Sequence, residues 1–260
     1  IYGYRRFGHR KVNPPESFVF VGTGLLLGLL AQVIRAVGQC GFLSESSAIE
    51  VSRMLFHHGF VMGLVLGIGG RLIPGLLGWS EIVSAQRSRY EKPLPFLRVV
   101  STFVLVLLAL FIASFALEVW NVMAGRSLRA CVVLSMGLSR WRLNKRPVNR
   151  TKFAWGIWGA CWCLVAGEFC YALLPGLALE SQHISFIGGY SLLTLLVASR
   201  VTLAHGKAGS LDFEKRPWAY VSLVGLIVLS MFTRFFASAV PASYVHHLGY
   251  AAAIWIVGAA

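Results

Sequence analysis

The residues best suited to chemistry in this chain of 260 are its seven histidines, two of which frame an apolar stretch from His183 to His205, with Arg200 just inside the second. On a helix the 22 steps between them span about 33 Å, roughly the hydrocarbon thickness of a bilayer, so they cannot share one metal ion. At about 100° per residue they return to nearly the same helix face, which offers one imidazole near each membrane surface. Neutral imidazole is the commonest protein ligand for copper, zinc and haem iron.

The helices that must carry these side chains are membrane spans. Hydrophobic residues make up 57% of the chain, mean hydropathy is +0.69 and only 13% of residues are charged, a balance foreign to a soluble domain of this length. Backbone groups in lipid must be satisfied within their own segment, and no run shows the alternation of a barrel strand, so the fold class is all-α and polytopic. Eight crossings are expected: Phe18 to Val37, His57 to Ile73, Leu97 to Val119, Val122 to Leu138, Phe153 to Leu174, the His183 to His205 span, Trp218 to Ala239, and one beginning near His246. The fourth carries Arg126 and Arg129 in its first two turns, which suggests a late start. They form a single transmembrane domain over 1–260. Ile1 in place of Met, and Ala260 inside an apolar run, suggest a chain incomplete at both ends.

On this layout the large majority of the 24 Lys and Arg residues fall on the side of the N-terminus, including the run Arg140 to Lys152. The positive-inside rule then makes the N-terminus cytoplasmic and explains the +14 charge without nucleic acid. The same orientation puts His57, His58, His183, His246 and His247 at the outer ends of three helices, leaving His205 and His9 inside. The outer five are candidate metal ligands, with His57 favoured over His58 because it lies opposite the Gly59, Gly63, Gly67 seam.

Other groups have two readings each. Glu168, a carboxylate inside the fifth span, suits either a proton relay or a structural partner for Arg126, Arg129 or Arg234, whereas Glu118 reads as an interfacial charge. Arg200 suits a haem propionate or lipid phosphate, or an inner-leaflet anchor. Trp155, Trp158 and Trp162 read as an interfacial belt. Five cysteines contain no C-x-x-C pair, and the chain has no P-loop, dinucleotide fingerprint or covalent-haem motif.

His183-Ile-Ser-Phe-Ile-Gly188-Gly189, followed by Arg200-Val-Thr-Leu-Ala-His205-Gly206, resembles the signature of the NnrS family. Gly59-Phe60, the Gly67 to Pro74 run and Arg234 support the likeness, which covers most of the chain from Met54 onward at the level of the family's C-terminal part. What the resemblance implies is a multispanning protein of the bacterial inner membrane that binds haem and copper and acts in nitric oxide metabolism or redox stress. His183, His205 and Arg200 would then serve the cofactor. The alternative is a structural subunit packed among other membrane-protein subunits, which the glycine seam also suits. A transporter is permitted by Glu168, although no inverted repeat is detectable.

Overall fold

The computed structural model describes residues 14–79, 81, 100–206, 216–239 and 241–260. The expected start of the third span, the loop charges Arg87, Arg89 and Lys92, and His9 lie outside the described residues. Among the described residues eight long helices follow one another: α1 (Phe18–Gln39), α2 (Glu45–Leu76), α3 (Thr102–Trp120), α4 (Val122–Ser139), α5 (Lys152–Leu173), α6 (Pro175–Ala204), α7 (Pro217–Phe235) and α8 (Tyr244–Ala259). Among the described residues there is no strand. Seven of the helices are long and apolar enough to cross a membrane, and α8 adds 16 residues. The protein is an integral membrane protein.

The chain divides into two compact units, residues 1–75 with 79–115, and residues 76–78 with 116–260. In the first, α1 lies against α2 at backbone distance. A Cβ added to Gly63 would stand 2.8 Å from Gly24 Cα, and Ser17 Oγ donates to the Gly67 carbonyl at 2.7 Å. The small-residue seam therefore packs helix on helix, as its spacing predicts. Phe20, Phe111 and Phe115 fill the space beside it, with ring centroids 5.7 and 5.2 Å apart in edge-to-face pairs. Glu16 is buried, and its carboxylate accepts the Ser101 backbone N–H at 3.0 Å, just before the start of α3.

In the second unit α5 is the central helix, with α4 and α6 packed on it. The Asn121 side chain accepts the Ala124 N–H and caps α4, and Thr151 caps α5 in the same way. The basic run after α4 folds back on the bundle: Trp141 and Leu143 are fully buried, and the Leu77 carbonyl accepts the backbone N–H groups of Val148 and Asn149. Trp158 Nε1 donates to the carbonyls of Leu143 and Lys145, both at 3.1 Å, so this tryptophan clasps a loop.

Two helices start earlier than hydropathy suggests. α2 begins at Glu45, because the polar segment Glu45–Met54 is helical although too hydrophilic to register as part of a span. α6 begins at Pro175, through one 3₁₀ turn. The two helices are built alike. Each is interrupted by a π-helical segment, Leu55–Val61 and Ile184–Ser191, and in each a glycine in that segment precedes an arginine by twelve residues, Gly59 to Arg71 and Gly188 to Arg200. Among the described residues each is also the second of four successive long helices, a recurrence in the same sense along the chain. π-turns are rare and concentrate at functional positions.

Candidate functional site

In the first unit, His57 and His58 sit in the π-segment of α2, well inside the helix and not at its end. The π-turn also changes which face each side chain occupies: His58 is 1% exposed, whereas His57 is half-buried with its ring 5.8 Å from that of Phe56.

In the second unit, His183 ends the α-helical first part of α6 and opens its π-segment. Its Nδ1 lies 2.6 Å from the Leu179 carbonyl. A carbonyl can only accept, so Nδ1 carries the proton and Nε2 keeps its lone pair. This backbone tether fixes tautomer and ring orientation, as is usual for ligating histidines. His205 is held the same way, 2.8 Å from the Val201 carbonyl, but it is exposed at the far end of α6. Arg200 is half-buried near that end. The two histidines are therefore separate positions, as the length of the helix between them requires. His246 is exposed on the first turn of α8, and His247 is half-buried with an Nδ1 that has neither solvent nor a hydrogen-bond partner.

Beside His183 lies a buried charge cluster that is only partly visible in the sequence. Arg129, with no exposed surface, donates from Nη2 to Glu118 Oε2 at 2.7 Å and stands 3.8 Å by Nε from Glu168 Oε2. Arg126 donates from Nε to Glu118 Oε1 at 2.9 Å and covers the Tyr171 ring at 3.8 Å from its centroid. Ser185, in the π-segment, donates to Glu168 Oε1 at 3.2 Å, and Gln182 hydrogen-bonds the Tyr171 side chain. Two arginines and two carboxylates thus form a formally neutral network from the end of α3 through α4 and α5 to both neighbours of Ile184 and His183 on α6.

Two expectations are corrected by this arrangement. Glu118 is 7% exposed and pairs with both arginines, so it is a buried counter-ion and not an interfacial charge. α4 does not start late: with Glu118 across the Asn121 turn, Arg126 and Arg129 are neutralised where they stand. Glu168 stands where a structural partner of Arg129 would stand. The signal for the cluster in the sequence is the placement of opposite charges on the two sides of one tight turn.

Chemically, His183 presents an imidazole whose Nε2 lone pair is open to a ligand-accepting group such as a haem iron. Among the described residues no three His, Cys, Asp or Glu side chains converge as a metal-ion site.

An all-helical membrane protein with a tethered histidine on a π-broken helix and a buried charge cluster behind it is the class defined by this fold and site. A family model described as NnrS protein matches residues 8–260, and the chain belongs to the NnrS family. The match begins well before the Met54 boundary suggested by the motifs alone. No curated protein and no solved structure matches the chain.

Proposed function

We propose that this NnrS-family protein binds haem at His183 and serves nitric oxide or redox-stress handling in the bacterial inner membrane, with its N-terminus on the cytoplasmic side. The observation that carries the reading is the His183 tether, which leaves Nε2 as a ligand atom on a helix whose rotation is reset by a π-turn. Family membership supports the cofactor class. The concentration of basic residues on the N-terminal side supports the orientation.

When bound, haem would supply an iron able to bind a diatomic gas or to pass an electron. The chain's own contribution is positional. Leu179 orients the His183 ring, and Gly167 lets the π-segment approach α5 closely, since an added Cβ there would collide with Ser185. The Arg129 network anchors Ser185 through Glu168, which holds the segment that begins at His183. Pyridine haemochrome analysis of the purified chain tests the reading. About one haem per protein is expected, and protein purified from haem-replete cells with none would overturn it.

A further inference from the structure

Arg234 stands in the last turn of α7 as a half-buried cation. Among the described residues its only side-chain hydrogen bond runs from Nη2 to the Tyr244 hydroxyl at 3.3 Å, and its Cζ lies 5.5 Å from the centre of the Tyr244 ring. Nη1 has neither solvent nor a hydrogen-bond partner, and among the described residues no carboxylate forms an ion pair with this side chain. The contrast with Arg126 and Arg129 is sharp, since both of those are matched to Glu118. A guanidinium N–H that is buried without an acceptor is costly, and it calls for a bound one.

Two further features converge on the same place. Tyr244 opens α8, and three residues on, His247 Nδ1 is also buried without a partner. Across from α7, on α6, His183 lies within electrostatic range of Arg234.

We infer that Arg234, oriented by Tyr244 at the start of α8, is the binding site for a carboxylate or another planar oxyanion beside His183. Guanidinium and carboxylate match as two parallel N–H···O bonds, and Nη1 is the donor left open for one of them. The carboxylate has two sources: the propionate of the haem proposed at His183, which rests on that reading, or a free anion, which does not. Arg200 cannot serve the first source, because the 17 residues of helix from His183 to Arg200 separate them by about 25 Å.

The experiment titrates the purified full chain, freed of any bound haem, with haemin, with haemin dimethyl ester, and separately with acetate. For the cofactor source, the wild type prefers haemin over its ester by about tenfold, and Arg234→Gln binds the two equally. Tyr244→Phe, which leaves the charge and the packing ring in place, narrows the preference several-fold and controls for misfolding. For the free-anion source, haemin and ester bind alike, while acetate raises the thermal midpoint of the wild type and not of Arg234→Gln. Failure of haemin to bind at all would remove the haem reading and leave the acetate arm to decide the site. No preference for haemin combined with no acetate effect would overturn the inference.

Discussion

Arg129 Nη2 lies 2.7 Å from Glu118 Oε2, and both side chains are withdrawn from solvent at the turn that joins α3 to α4. The pair neutralises charge on a helix that carries two arginines in its first two turns. Removing one partner leaves the other charge buried without compensation. Arg129→Ala is expected to destabilise the protein by about 3–5 kcal/mol. Thermal unfolding in detergent measures this, and a loss under about 1 kcal/mol, far below the cost of a broken buried pair, would show that the pair does not hold the turn.

The two carboxylates are not equivalent. Glu118 accepts from both arginines, whereas Glu168 stands 3.8 Å from Arg129 and accepts from Ser185. Glu118→Gln therefore lowers the unfolding midpoint more than Glu168→Gln, whose amide oxygen retains the serine bond. Equal effects, or the reverse order, would contradict the assigned geometry.

Glycines in α1 and α2 separate by what surrounds them. A Cβ on Gly63 would lie 2.8 Å from Gly24 Cα and 2.9 Å from the Phe20 carbonyl oxygen, both backbone atoms that cannot swing aside. A Cβ on Gly22 would meet nothing within 4 Å. Gly63→Ala should cost about 1–3 kcal/mol, while Gly22→Ala leaves stability unchanged or raised by up to about 1 kcal/mol. Comparable losses at the two positions would refute the close crossing.

The proposed orientation is open to labelling. Cys40 is exposed in the turn between α1 and α2, which the proposed topology puts on the side opposite the basic run at 140–152. In intact cells a membrane-impermeant maleimide should label Cys40, whereas a cysteine placed at Lys145 reacts only after the membrane is opened. The inverse pattern would reverse the topology.

Hydropathy made most of this architecture legible because a lipid-facing helix announces itself by length and apolarity alone. The spans at Phe18, Val122 and Phe153 are found within a residue or two of their helix starts. It missed Glu45–Met54, where helix continues through polar residues, and it could not see the π-turns, whose glycines and histidines fit an unbroken α-helix equally well. The candidate site was legible as residue types. Its partners were not, since Glu118 and Arg129 meet only when the Asn121 turn folds one helix back on the next, and Arg234 meets Tyr244 only across the α7–α8 connection.

The most direct test of haem ligation at His183 is the reduced-minus-oxidised optical spectrum of the purified wild type, His183→Ala and His205→Ala, each at known haem-to-protein ratio. Ligation at His183 predicts a Soret band in the wild type that is lost or strongly shifted in His183→Ala and retained in His205→Ala, whose histidine is exposed at the other end of α6. A spectrum and haem content unchanged in His183→Ala would contradict it.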